Sequence, residues 1–394
     1  MTIRVKTGLD VLRENNFEPL KGQRVALLCN QASVAGDLTH AVDVFFQAEQ
    51  DAGLSLRALL GPQHGLWGHT QDNMIEWQDY RDKRTNIPVY SLYGERRKPT
   101  SGMLQNIDTL IIDLQDVGAK YYTFIWSLAL SMEACRDLGI SVMVPDRPNP
   151  INGVQIEGTF IHNGFRSFVG WRDIGIRHGM TIGEIAKYLQ NKFYPQCHLQ
   201  VVEMQGWKRE MYFENTGLAW AMPSPNIPTV DSTVVYPGMC LLEATNLSEG
   251  RGTTRPFEIF GAAYMDGWQF AAEMKKYELP GVIFRPLEFQ PTFHKHAGKI
   301  CGGCFIHVTD RRSFKPFLTT IALLREAIRL YPDHFAWKSP PYEYEYEKMP
   351  FDILTGNAWL REMLEAQRPL AEMAARWKKE QNVFEKIRRE FLLY

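Results

Sequence analysis

A chain of 394 residues, 45% hydrophobic and 23% charged, has the composition of an ordinary globular protein, and its length favours two domains over one core. A net charge of −1 supplies no field for nucleic acid or an anionic membrane, and no apolar run reaches the roughly 20 residues of a membrane span, so neither is expected as a partner. The polar start Met1-Thr2-Ile3-Arg4-Val5-Lys6 lacks the apolar core of a signal peptide, which predicts a cytoplasmic protein unless a leader was trimmed.

The first strand is predicted over Arg24 to Leu28, running into Asn30-Gln31, and helical spacing follows from Leu38 to Ala48. Leu54 to Leu60 forms the second strand and runs into Gly61-Pro62-Gln63-His64-Gly65. The next connection, Gly61 to Ile87, spans about 27 residues rich in Asp, Gln, Asn and Trp, and irregular connections of that length are usually functional. Val89 to Leu92 is the third strand, ending in Tyr93-Gly94, and a short helix is expected over Ser101 to Asn106. Thr109 to Ile112 is the fourth strand, ending in Asp113-Leu114-Gln115-Asp116, followed by a long helix from Tyr121 to Leu138 that stops at Gly139. Ile140 to Val144 is the fifth, ending in Asp146-Arg147-Pro148-Asn149-Pro150. Short apolar runs bounded by turn residues read as strands buried on both faces, and their alternation with helices predicts an α/β fold with a parallel sheet and right-handed crossovers.

Pro148, Pro150, Gly153, Gly158 and Gly164 predict a boundary near 150–165, dividing the chain into domains of 1–160 and 161–394. Beyond it, Thr181 to Phe193 reads as a helix with a capping box from Thr181 to Glu184, Leu199 to Met204 and Ile300 to Val308 read as strands, and Phe317 to Leu330 and Trp359 to Leu392 as helices. Residues 217–260 are too rich in Trp, Tyr and charge for a spacer and read as extended active-site backbone. The six cysteines read as buried thiols, with Cys301-Gly-Gly-Cys304 only a weak metal or redox signal. Ten Trp would suit sugar platforms, though aromatics equally build cores.

Ligands of open α/β sheets bind just past the carboxyl ends of the strands, which draws attention to four polar clusters. These are Gln63-His64-Gly65 with Gln71, Asp72, Asn73 and Glu76; Asp113 to Asp116 with Tyr121 and Tyr122; Asp146 to Pro150; and Pro223-Ser224-Pro225-Asn226 with Glu243 to Pro256. Taken singly, Asp113 reads equally as a cap, His64 and His178 as hydrogen-bonding residues, and Arg147 as a loop lock paired with Asp146. Together, so many polar groups at strand ends suggest one site, because each is costly to bury alone.

The order of these motifs resembles the DUF1343 family, the exo-β-N-acetylmuramidases of the NamZ type. The resemblance covers nearly the whole chain. It lies in Gly8-Leu9-Asp10, Gly61-Pro62-Gln63-His64-Gly65, Pro88-Val89-Tyr90-Ser91-Leu92-Tyr93-Gly94, Asp113-Leu114-Gln115-Asp116-Val117-Gly118, Asp146-Arg147-Pro148-Asn149-Pro150, Arg177-His178-Gly179-Met180-Thr181, Pro223-Ser224-Pro225-Asn226 and Glu249-Gly250-Arg251-Gly252-Thr253-Thr254. It implies a Rossmann-like N-terminal domain, a smaller C-terminal α/β domain, and an active site in the cleft between them that removes terminal N-acetylmuramic acid from peptidoglycan fragments. One departure stands out. Relatives carry Glu in Gly-Pro-Glu-His-Gly, where the resemblance implies a catalytic acid; this chain has Gln63, which cannot donate and recover a proton.

Glycoside cleavage usually takes two carboxyl groups with separated pKa values, and the candidates are Glu76, Asp116, Glu243 and Glu249, with His64 beside them. The lactyl carboxylate of the sugar favours a guanidinium, for which Arg147, Arg251 and Arg255 are available. Gln63, Gln115, Tyr121, Asp146, Asn149, Asn226 and Asn246 complete the expected binding set, and Gly250 and Gly252 would let backbone approach the ligand. No metal or cofactor is expected. Three other readings compete. A nucleotide-dependent oxidoreductase would need G-x-G-x-x-G after the first strand, where the chain has Cys29-Asn30-Gln31-Ala32-Ser33-Val34-Ala35-Gly36. A metal-dependent hydrolase would use His64, Asp113, Asp116 and His178, without any H-E-x-x-H spacing. A carbohydrate-binding protein without catalysis would account for Gln63.

Overall fold

A computed structural model describes residues 4–394, and Met1, Thr2 and Ile3 of the polar start lie outside the described residues. The described chain builds a seven-stranded sheet from β1 (Arg24–Cys29), β2 (Ser55–Gly61), β3 (Tyr80–Arg81), β4 (Pro88–Ser91), β5 (Thr109–Asp113), β6 (Ser141–Pro145) and β7 (Leu199–Val202), in the spatial order β3-β4-β2-β1-β5-β6-β7. Every pairing is parallel except that of β3 with β4. With the two-residue β3 set aside, the order is the 3-2-1-4-5-6 of dinucleotide-binding sheets, whose winding reverses between β1 and β5 and opens a crevice at the strands' carboxyl ends. The five expected strands are all present.

The sheet is buried on both sides because its strands alternate between two cores. Ala26, Leu28, Leu110, Ile112, Val142 and Val144 face α3 (Phe124–Leu138) and α4 (Ile182–Phe193). Val25, Leu27, Cys29, Ile111 and Met143 face α1 (Gly8–Glu14) and α2 (Ala41–Ala52). The Thr181 capping box is formed as expected, its hydroxyl accepting from the Glu184 amide. Residues 101–106 form turns rather than a helix, since a six-residue segment containing Gly102 cannot nucleate one.

The second unit contains α5 (Val230–Met239), β8 (Ile259–Ala262), α6 (Gly267–Lys275), β9 (Val282–Phe289), β10 (Cys301–Val308), α7 (Pro316–Leu330), α8 (Pro350–Thr355), α9 (Trp359–Glu365) and α10 (Leu370–Arg388). Its three strands are antiparallel in the order β8-β10-β9. The single helix expected over Trp359 to Leu392 is two, because Pro369 has no N–H and stands at the start of α10. Cys301 and Cys304 lie three apart on β10 and so on opposite faces of the strand, which rules them out as a chelating pair. All six cysteines are free and buried.

The expected boundary at 160 falls inside the first unit. β7 adds a parallel strand beside β6, fifty-seven residues further on in the chain by its register of Val142 with Leu199. The glycines near 150–165 form anchored turns, not a linker: Arg388 of α10 donates to the carbonyls of Gly153 at 2.9 Å, Val154 at 2.9 Å and Gly179 at 2.7 Å. One continuous core runs from β5 and α3 through α5 and α7 to Phe351 and Leu360.

The ends of β5 and β6 are joined by a buried ion pair. Arg147 donates through Nε and Nη2 to both oxygens of Asp113, at 2.5 and 2.7 Å. Removing one partner strands the other as an unpaired buried charge. Asp113→Ala is expected to lower unfolding stability by about 3–5 kcal/mol in a denaturant titration, and Asp113→Ala with Arg147→Met by clearly less. A single variant within about 1 kcal/mol of the parent would show that the pair is not held as described.

Candidate functional site

Past the carboxyl ends of β2, β4 and β5 the chain closes a polar pocket of about 380 Å³ against α5 and the segments that follow it. Most of the side chains lining it are buried. One wall comes from the first unit. β2 ends at Gly61, where a Cβ would lie 2.7 Å from the Trp77 ring, so glycine lets the long loop fold back over the strand end. Thr123 then donates to Gln63 Oε1 at 2.7 Å, while Gln63 Nε2 donates to Asn73 at 3.1 Å and to Glu343 at 3.3 Å. His64, at φ +71°, donates through Nδ1 to the Thr70 carbonyl at 2.9 Å, and its Nε2 lies 3.2 Å from the Ser224 hydroxyl. Burial pushes this imidazole down to about 4, which makes it a weak base. The Ser224–His64 contact therefore orients the wall rather than activating the serine.

The opposite wall is built around a buried guanidinium. Arg251 donates through Nη1 to Asp72 and through Nη2 to Glu243, both at 2.7 Å, and its Nε lies 3.6 Å from Glu249. Glu243 Oε2 also accepts from Asn73 Nδ2 at 2.8 Å and from the Tyr342 hydroxyl at 2.7 Å. Glu249 sits behind, 2.8 Å from Lys295; burial pushes its carboxyl up, but Lys295, Arg251 and His294 more than offset this and leave it at about 2. Gly250 and Gly252, at φ +79° and +81°, bring chain segments together rather than admitting a ligand: a Cβ on either would lie 2.5 Å from the carbonyl of Ile259 or Phe293 respectively.

Glu343 completes the pocket. It occupies a turn in which Tyr342 and Glu345 exchange two backbone hydrogen bonds of 2.9 Å, with Glu343 at φ +46° and Tyr344 at +64°. Turns of this kind favour Asn-Gly, and a left-handed conformation costs about 1–2 kcal/mol for each non-glycine residue. The Glu343 side chain is buried, accepts from the Tyr93 hydroxyl at 3.0 Å and from the Gln63 amide, and is pushed up to about 7 by burial, with the nearby Glu243 charge acting in the same direction.

Of the residues singled out in the sequence, Gln63, His64, Asn73, Tyr121, Tyr122, Ser224, Asn226, Glu243 and Arg251 line this pocket, and Asp72 and Glu249 back it through Arg251. The others lie elsewhere. Glu76 is exposed, against Gly94 and Tyr344. Asp116 accepts from the Gly118 amide at 2.7 Å and lies 3.1 Å from His178. Asp146 caps α4 through Thr181 and Gly183 and accepts from the Arg147 backbone amide at 2.9 Å, but the Arg147 guanidinium pairs with Asp113, so the expected Arg147–Asp146 ion pair is not formed. Gln115 and Asn149 hold the carbonyls of Pro148 and Met180, Asn246 that of His334, and Arg255 lies beside Glu258 at the surface. A second depression of about 360 Å³ beside Arg147 and Gln115 contains no carboxyl group. Of the four residues of the metal-hydrolase reading only Asp116 and His178 meet, and among the described residues no group of three His, Cys, Asp or Glu is gathered as a metal site. The sequence reading passed over Glu343, Tyr342 and the Tyr93 hydroxyl. Tyr342-Glu343-Tyr344-Glu345-Tyr346-Glu347 looks like a solvated charge run, and its one signal is the alternation of rings and acids after Pro340-Pro341.

Two family models, the N-terminal and C-terminal parts of exo-β-N-acetylmuramidase NamZ, match residues 25–231 and 234–394. The chain is similar to peptidoglycan β-N-acetylmuramidase NamZ of Bacillus subtilis (strain 168), with 41% identity over 391 residues, 99% of this chain and 92% of that protein. It is also similar to two crystal structures of DUF1343 family proteins from Bacteroides fragilis NCTC 9343. The first has a TM-score of 0.89 at 33% identity, covering 100% of this chain and 99% of that one. The second has a TM-score of 0.78 at 26% identity, covering 99% of each. By sequence along nearly its whole length, and by the fold that carries it, the chain belongs to the NamZ exo-β-N-acetylmuramidase family.

Proposed function

We propose that this protein is a glycoside hydrolase that releases terminal N-acetylmuramic acid from peptidoglycan fragments, with its chemistry in the pocket shared by Glu243 and Glu343. The observation that carries this reading is the presence of two buried carboxyl groups on the walls of one pocket, the minimum most glycosidases use. The remaining walls suit a sugar. Tyr121, Tyr122, Tyr236, Phe257 and Tyr342 offer ring surfaces, and Gln63, Asn73 and Asn226 offer amides to hydroxyl and acetamido groups. The Tyr122 hydroxyl is buried without a hydrogen-bond partner among the described residues, as expected of a group that a ligand satisfies. A compact pocket, unlike a long groove, suits the end of a glycan chain, in keeping with removal of a terminal unit.

Recognition of the lactyl group calls for a guanidinium that is not already spent. Arg147 is taken by Asp113, Arg251 by Glu243 and Asp72, and Arg255 lies at the surface. Arg97 is different: it is half-buried between the rings of Phe168 and Tyr344, 4.8 and 4.4 Å from their centres, close enough to Glu343 to influence its carboxyl. Among the described residues no carboxylate lies within ion-pairing distance of it. Arg97 lies outside the pocket lining, in a neighbouring depression with Phe168 and Trp171, and we assign the lactyl carboxylate to it as a contact from beside the pocket.

Two outcomes follow, measured on a disaccharide with N-acetylmuramic acid at its non-reducing end. Glu243→Gln should cut release of the free sugar by about 10²–10⁴-fold with an unchanged far-UV spectrum. Binding of the disaccharide by the parent protein without any release would point instead to a carbohydrate-binding protein. Arg97→Met should raise KM about tenfold or more with kcat little changed, and should leave the matched N-acetylglucosamine glycoside, which has no lactyl group, unaffected. Equal losses on both sugars would take Arg97 out of recognition.

A further inference from the structure

Building on the glycosidase reading, we propose that Glu343 is the proton donor to the departing glycosidic oxygen, held in place by the strained turn from Tyr342 to Glu345. The two carboxyl groups of the pocket have unlike surroundings. Glu243 lies 2.7 Å from a guanidinium and takes further hydrogen bonds from Asn73 and Tyr342, so three donors support its charge. Glu343 has no cation within ion-pairing distance among the described residues, and its donors are the neutral Tyr93 hydroxyl and Gln63 amide. Oε1 takes the Gln63 amide, while Oε2 has the Tyr93 hydroxyl alone, which leaves Oε2 as the oxygen with room for a proton. Gln63 itself carries no exchangeable acid proton, so on this wall the carboxyl function belongs to Glu343. Non-glycine residues kept at positive φ, as Glu343 and Tyr344 are, concentrate at sites where position matters more than local comfort.

The charged and titratable groups facing Glu343 are Glu243 from the segment after α5, Arg97 and Tyr93 from the segment after β4, and Tyr342 and Tyr344 on its own turn. Burial leads among the influences and the carboxyl is pushed up to about 7, so near neutrality a sizeable fraction holds its proton. In the step, the O–H bond of Glu343 breaks as an O–H bond forms on the leaving alcohol. The C1–O pair departs with that oxygen. A water oxygen bonds to C1 and releases one proton, which returns to the carboxyl through solvent, so the net change is one glycoside and one water giving two hydroxyl compounds.

The test compares two substrates, the disaccharide, whose alcohol leaves only when protonated, and a 4-nitrophenyl glycoside of the same sugar, whose phenolate leaves unaided. Glu343→Gln is expected to slow the disaccharide by about 10²–10⁴-fold and the aryl glycoside by less than about tenfold. Retained aryl glycoside cleavage also shows that the variant folds. Because the protonated form is the active one, parent kcat on the disaccharide should fall as pH rises through about 7, and this decline should be missing for the aryl glycoside. That profile serves alone should Glu343→Gln fail to fold. Equal loss on both substrates, an unchanged rate on the disaccharide, or the same pH decline for both substrates overturns the assignment while the glycosidase reading stands. A parent protein that cleaves neither substrate overturns both.

Discussion

The buried guanidinium of Arg251 is the contact on which the pocket depends. It ties Asp72, on the long loop after β2, to Glu243 and Glu249, which follow α5 in the second unit. Burying a guanidinium is costly, and in isolation it would destabilise the protein. Here the charge is matched on three sides, and Lys295 and His294 in turn approach Glu249. Such a network stabilises only when complete, since each missing partner strands another charge in a medium that cannot solvate it. Its position at the seam explains why two units with different sheets share one pocket.

Much of the fold can be read from the chain. The apolar runs of β1, β2, β4, β5 and β6 are short, continuous and closed by turn residues, so their burial on both faces follows from pattern alone. Thr181 with Glu184, and Gly139 after α3, mark helix ends through local chemistry. The boundary does not read as well, because whether a glycine-rich turn is loose or anchored depends on Arg388, more than two hundred residues away. The same holds within the site. Gln63, His64 and Arg251 follow from strand ends and a dense polar segment. Glu343 meets Gln63 across 280 residues of chain, a partnership that no local pattern encodes.

Strand-end acids were the least informative feature, for a physical reason. A carboxylate just past a parallel strand faces helix N-termini and turn amides, and it can satisfy those as readily as a ligand. Asp146 does so with Thr181, Gly183 and the hydroxyl of Tyr394, Asp116 with Gly118, and Asp113 with Arg147. Each binds a loop to the sheet and so fixes the rim from which functional side chains project. The acids that remain for chemistry come from the second unit, where the chain brings Glu243 and Glu343 to the crevice from positions a hundred residues apart.

The two walls of the pocket are held in different ways. The long loop closes over it through hydrogen bonds that a hydroxylated ligand can replace: Gln71 with Asn226, Asn73 with Gln63 and with Glu243. His64 and Met74 within that loop hold positive φ angles, so part of its closed form is maintained by those contacts against local preference. A sugar that takes over the amides of Gln63, Asn73 and Asn226 would replace those ties, while the Arg251–Asp72 ion pair still anchors the loop. The turn carrying Glu343 relies on none of them except the Gln63 amide; its two backbone bonds are internal to the turn, while the Tyr93 hydroxyl that meets Glu343 also accepts from the loop's Met74 amide. The fold thus separates a wall tied largely by exchangeable hydrogen bonds from one on which the carboxyl groups are held by an ion pair and a closed turn.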